Sequence, residues 1–278
     1  MGFTKEINKD FKIENNRIIL SKEYLESNKN KFKKITGSRF ASIIGQNKYC
    51  SPAKVWALMT NIYFEPMDDF YSTAGNVIEP KIRNYVSEKT GIKYLDYDPK
   101  KIGFDIFKDN KYFGGIPDGE PVNDLNNLDY SNNKPMLEIK TTSIDAFKFE
   151  FRDGGLFVAK DANQAPIIKE YGTKKLKWFD SNNNILIPIE YQMQLSLYCY
   201  LRNIKHGLFA VAFLEHKDYI KPQEFICNEQ NIFLKDFQFD RNQFENEVHK
   251  AIKWYDDFIK TGISPELELS DWNWIKGR

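Results

Sequence analysis

Between Lys134 and Ser143 the chain reads KPMLEIKTTS, and this stretch restricts the fold more than any other. Successive side chains of a β-strand point to opposite faces, so Met136, Glu138 and Lys140 share one side while Leu137, Ile139 and Thr141 share the other. Glu138 and Lys140 are then neighbours about 7 Å apart along the strand. Upstream, KYFGGIPDG ends in Ile116, Pro117 and Asp118, with Gly119 letting the chain turn, and the Asn-rich loop DLNNLDYSNN separates it from KPMLEIKTT. If the two segments pair, Asp118 is brought close to Glu138. Together with KIGFDIFK, these runs predict a β-meander in the middle of the chain.

Two adjacent carboxylates raise each other's pKa unless a cation sits between them. A hard divalent ion with oxygen ligands, Mg²⁺ or Mn²⁺, is the natural occupant. Such an ion would polarise a phosphate and acidify a bound water, while Lys140 would hold that water and offset developing negative charge. Phosphodiester hydrolysis is the chemistry this arrangement serves. Each piece also has an ordinary structural reading: PDG as a turn, Glu-Ile-Lys as a solvent-facing stripe.

The flanking segments read as helices. Ile78, Ile82, Tyr85 and Val86 recur at helical spacing between about Gly75 and Thr90, and Gly91 ends the pattern. Glu79 stands beside that apolar stripe, where it would add a third carboxylate and permit a second ion roughly 4 Å from the first. A short helix over TGSRFASIIG opens at Thr36 and Ser38 and stops at Gly45, and another covers SPAKVWALMTN with Pro52 in its first turn. The first thirty residues predict a short strand and a solvated helix. Residues from about Asp153 to Ser181 read as irregular, followed by a strand ILIPIE, a helix EYQMQLSLYCYLR, an apolar strand GLFAVAFLEH and a helix from about Asp240 to Lys260. This order is α/β without the regular βα alternation of a doubly wound nucleotide binder. One domain is expected over 1–278, with an N-terminal extension over 1–30, a catalytic core over 31–215, and C-terminal strands and a helix over 216–278.

Composition narrows the setting. Lys+Arg of 40 against Asp+Glu of 39 leaves a formal charge of +1, so a polyanion would have to be met by locally concentrated basic residues. The run KKLKW at Lys174–Trp178 mixes basic and aromatic residues; it reads as a solvated loop or as a contact to nucleic-acid backbone. Three scattered cysteines exclude a four-cysteine metal or iron–sulfur site and fit a reducing cytoplasm. No apolar stretch reaches membrane-spanning length, so no membrane association is expected. The three histidines have no metal spacing, and Trp272 and Trp274 read as a cover over a core edge or a subunit contact, with stacking on bases as the alternative.

Five blocks in order, TGSRFASIIGQNKYCSP, AGNVIEP, GGIPDG, LEIKTTS and YQMQLSLY, resemble the YqaJ-type viral recombinases and phage lambda exonuclease within the PD-(D/E)XK nucleases, over roughly Lys31 to Arg202. The resemblance implies a restriction-endonuclease-like PD-(D/E)XK core, a central mixed β-sheet flanked by α-helices. It implies an Mg²⁺-dependent exonuclease, with Mn²⁺ able to substitute, acting 5′ to 3′ on linear duplex DNA in recombination or repair. Restriction- or resolvase-like endonuclease cutting, or DNA-end binding with residual catalysis, are the alternatives. By resemblance, Asp118, Glu138 and the Ile139 carbonyl are metal ligands, Lys140 is the catalytic lysine, and Glu79 and Gln192 assist at the metal and the reacting phosphate. Gln194 supports them. Ser38 matches a serine that holds the terminal phosphate, Lys31 stands where the lambda enzyme has an arginine, and Arg39 is a further candidate for that phosphate. A ring-shaped homotrimer and a separate single-strand annealing protein as partner are implied on the same basis.

Overall fold

The computed structural model describes residues 3–65, 68–152 and 155–276; the first two residues of MGFTKEINKD, and Asp153 and Gly154 of the segment expected to be irregular, lie outside it. A hairpin opens the chain, β1 (Phe11–Glu14) against β2 (Arg17–Leu20). Asn15 and Asn16 both take positive φ at its tip, the conformation a two-residue hairpin turn needs. Helix α1 (Lys22–Asn28) follows, capped by the Ser21 hydroxyl, which accepts the Tyr24 N–H at 3.2 Å. Phe11, Ile18 and Tyr24 are buried, and Ile18 bonds through its backbone to Ser264 near the far end of the chain. The polar first thirty residues therefore contribute to the core.

Helices α2 (Gly37–Ile43) and α3 (Pro52–Met59) stand where the caps predict, with Gly45 at φ 73° and the Ser51 hydroxyl accepting the Lys54 N–H. Helix α4 (Asp69–Thr90) starts earlier than the expected Gly75, because Asp68 accepts the Phe70 N–H and Phe70 and Ala74 extend the buried stripe of Ile78, Ile82 and Val86. Gly91 ends it in the left-handed conformation.

The predicted meander is not formed. After β3 (Lys93–Leu95), Asp98 and Pro99 start a short helix, α5 (Pro99–Ile102), and positive φ at Gly103 and Phe104 reverses the chain where KIGFDIFK was expected to be extended. KYFGGIPDG makes only single bridges, Phe113 to Ile35 and Gly119 to Leu137, since Pro117 lacks a donor and Gly115 turns at φ 124°. The strand proper, β4 (Glu120–Val122), begins after it and pairs with β3.

Next come β5 (Met136–Ser143) and a subdomain of short strands, β6 (Ala146–Phe147), β7 (Phe149–Arg152), β8 (Gly155–Val158) and β9 (Ile168–Glu170), with α6 (Thr173–Leu176). The strands pair antiparallel, β6 with β9 and β7 with β8; only β8, β9 and α6 fall within the stretch read as irregular, between segments without strand or helix. ILIPIE supplies only an isolated bridge at Ile185; Pro188 then precedes α7 (Ile189–Arg202). The chain continues through β10 (His206–Leu214), α8 (His216–Ile220), β11 (Ile232–Gln238), α9 (Arg241–Trp254) with a π-helical turn over Tyr255–Ile259, and α10 (Asp271–Ile275). Trp274 packs against Tyr63 with ring centroids 4.7 Å apart, as a core cover.

The central sheet is mixed, in the order β11-β10-β5, with β10 antiparallel to β11 and parallel to β5. Strand β10 is apolar from Gly207 to Leu214 because it is covered on both faces. Helix α4 packs Ile78, Ile82 and Val86 on one face, against Leu137, Ile139 and Leu208; α7 packs Leu195, Tyr198 and Cys199 on the other, against Met136, Phe209 and Val211. This is an α/β fold with a mixed sheet between helices. Among the described residues no helix is long and apolar enough to cross a membrane.

Candidate active site

Strand alternation turns Glu138 and Lys140 toward α7, while Gly119 pairs with Leu137 on the free edge of β5. That single bridge is enough to seat Asp118. Its Oδ2 accepts the Ile139 N–H at 2.8 Å, and its own carbonyl accepts from Arg83 Nε of α4 at 2.9 Å. Arg83 is held in turn by Asp96, 3.0 Å from Nη1. Backbone N–H and C=O of one residue leave a strand on the same edge, so the Ile139 carbonyl points to the Asp118 side, away from β10, and no donor among the described residues reaches it.

Glu138 has no solvent exposure. Lys140 Nζ lies 2.5 Å from its Oε1, an ion pair by distance, yet neither carboxylate oxygen has a partner in hydrogen-bonding geometry. Burial, then the Asp118 charge, pushes the Glu138 carboxyl up to about 8. Burial alone would lower the Lys140 ammonium, but Glu138 and Asp118 outweigh it and hold it above its ordinary value. Lys140 also donates to Gln194 Oε1 at 3.3 Å and lies 4.7 Å over the Tyr191 ring. Glu79, on α4, is raised by burial and then by Asp118, so it shares the field of the site from the other side of the sheet edge.

The residues fit a divalent cation. A fully buried carboxyl with neither oxygen in hydrogen-bonding geometry, a second carboxylate beside it and a free carbonyl on the Asp118 edge form a set of hard oxygen donors. Among the described residues no three acidic, His or Cys side chains gather closely enough to hold an ion by themselves, which leaves Glu79 outside the immediate set.

The remaining expected residues are placed as follows. Gln192 Nε2 donates to the Ile187 carbonyl at 2.7 Å at the start of α7, whereas Gln194, expected only in support, is the glutamine that touches Lys140. Ser38 is exposed at the first turn of α2, its hydroxyl 3.1 Å from that of Thr36. Arg39 turns inward, Nη1 to the Lys34 carbonyl at 3.2 Å. Lys31 is exposed.

Sequence reading passed over Tyr191, Tyr198 and Arg83. Tyr198 is buried between α2 and the Asp118 turn: a Cβ on Gly115 would fall 2.5 Å from its hydroxyl, and one on Gly37 would fall 2.6 Å from Gln194 Cγ. The signal was present, since Gln194 and Tyr198 are one helical turn apart and face the strand together.

Residues 24–200 match the YqaJ-like viral recombinase domain. The chain is 48% identical to the Mycoplasma genitalium protein MG373 over 276 residues, 99% of this chain and 98% of that one, and 48% identical over 276 residues to its Mycoplasma pneumoniae homolog. Among solved structures, it is similar to an alkaline exonuclease from Laribacter hongkongensis (13% identity, 85% of this chain and 92% of that one, TM-score 0.49). A phage related exonuclease from Haemophilus somnus matches at 13% identity over 84% of this chain and 96% of that one, TM-score 0.49. The fold is an α/β domain that brings Asp118, Glu138 and Lys140 together at its central sheet. The chain belongs to the YqaJ-like viral recombinase domain family.

Proposed function

We propose that this protein is a metal-dependent deoxyribonuclease that hydrolyses phosphodiester bonds of linear duplex DNA from an end, 5′ to 3′, in recombination. The observation that carries it is the fully buried Glu138 carboxyl, set beside Asp118 and against the Lys140 ammonium, with no partner in hydrogen-bonding geometry at either oxygen. When bound, Mg²⁺ or Mn²⁺ would supply Lewis acidity to the phosphate and to the attacking water. Asp118, Glu138 and the Ile139 carbonyl are the groups to hold it.

The protein's own residues supply positioning and charge. Lys140 stays cationic, donates toward the attacking water and offsets the charge that grows on the phosphate oxygens as the new P–O bond forms and the ester P–O bond breaks. Gln194 and the Tyr191 ring fix where that ammonium sits. Arg83 fixes the turn that carries Asp118.

End-labelled linear duplex and covalently closed circles, incubated with and without Mg²⁺, test the reading. Metal-dependent release of mononucleotides from the 5′ label, with circles intact, is expected. Equal cutting of circles would make the protein an endonuclease, and turnover in chelator would remove the metal.

A further inference from the structure

A second cleft opens beside the active site, between the 46–49 loop, the end of β5, the β6–β7 segment, α6 and the first turn of α7. Its volume of 740 Å³ lies in the range of ordinary ligand sites, roughly 300–1,000 Å³. Lys48, Lys174 and Lys177 line it against a single carboxylate, Glu190. None of the three lysines is paired with a carboxylate among the described residues. In a chain of net charge +1, this is a local excess of uncompensated cations. Burial, and then the neighbouring Lys177, lowers the Lys174 ammonium, as expected for a cation that lacks an anion.

The aromatic residues are arranged to match. Tyr49 is 74% exposed and Phe149 is 52% exposed at the cleft. Trp178, buried, stacks on Tyr191 at 5.8 Å and 15°, and the same Tyr191 ring lies under Lys140. Tyr191 thus lines the cleft and also touches Lys140. Duplex bases are already stacked on one another, so open aromatic faces between cations suit unpaired bases.

We propose that this cleft holds one unpaired strand of nucleic acid leading to or from the active site, its phosphates on Lys48, Lys174 and Lys177 and its bases against Tyr49 and Phe149. The assignment rests on the nuclease reading above, which it supplies with a path for the strand.

Binding of a fluorescein-labelled oligothymidylate to the full chain, in EDTA, tests it by anisotropy across a salt series. The double substitution Lys174→Glu, Lys177→Glu is expected to weaken binding at least about tenfold and to make the log–log salt slope shallower by about one unit or more. Tyr49→Ala should weaken binding about tenfold with the slope unchanged. The matched reversal Lys250→Glu, Lys253→Glu on α9 controls for net charge, and circular dichroism for folding. Affinity and slope equal to wild type in the Lys174, Lys177 variant would overturn the assignment, as would equal losses from that variant and the α9 control. Blunt duplex bound as tightly as the single strand, and equally impaired by the variant, would overturn the single-strand choice. Hydrolysis of end-labelled duplex by the wild type is measured separately: its absence would sink the nuclease reading while the strand affinity still decides the cleft.

Discussion

Arg202, the last residue of α7, grips Glu120 at two points, Nε to Oε1 at 2.6 Å and Nη2 to Oε2 at 2.8 Å. Glu120 is fully buried, also accepts from the Tyr97 and Tyr130 hydroxyls, and stands two residues beyond Asp118. The pair thus ties the turn bearing Asp118 to the helix bearing Gln194 and Tyr198. Arg202→Ala would leave a buried carboxylate without its counter-ion and is expected to cost about 3 kcal/mol. A lower urea midpoint checks this, and Arg202→Lys should restore only part of it, because an ammonium cannot make the two-point contact.

Lys140→Met and Asp118→Asn are each expected to lower the cleavage rate on linear duplex at least about a hundredfold. Strand affinity in chelator should change far less than the rate. Rates near wild type in either variant would show that the hydrolytic centre lies elsewhere.

Because the folded protein holds the Glu138 proton up to about 8 while the unfolded chain releases it near the ordinary carboxylate value, the folded state binds more protons between those limits. Stability of the metal-free protein is therefore expected to fall as pH rises through that window. Mg²⁺ or Mn²⁺ affinity should rise over the same window, since the ion competes with the proton. Thermal melts with and without metal from about pH 5 to about pH 9 test both, and Glu138→Gln should flatten the dependence.

Gly115→Ala is expected to destabilise by more than about 1 kcal/mol, through both its φ of 124° and the closeness of the Tyr198 hydroxyl. Adding Tyr198→Phe should recover part of the loss, the part due to the hydroxyl. Denaturant midpoints of the two single variants and the double variant separate the contributions.

That Glu138 and Lys140 are neighbours was legible because strand alternation is local: the two must share a face whatever surrounds them. Helix ends were legible where a residue marks them, at Pro52 and Gly91. The meander failed at Gly103, Phe104 and Gly115, whose positive φ breaks runs that are apolar enough to be strands. Helix α4 was cut short at its start because the Asp68 cap and Ala74 carry little apolar signal.

By itself the sequence determined that Glu138 and Lys140 occupy one face of β5. Tertiary structure decided how the site is held. Asp118 meets β5 through one bridge, Gln194 rather than Gln192 reaches Lys140, Glu120 is locked to Arg202, and lysines far apart in sequence line one cleft. Alternation and capping act over a few residues and are written in the order of side chains, whereas these contacts join segments tens of residues apart and exist only once the sheet and its two covering helices have packed.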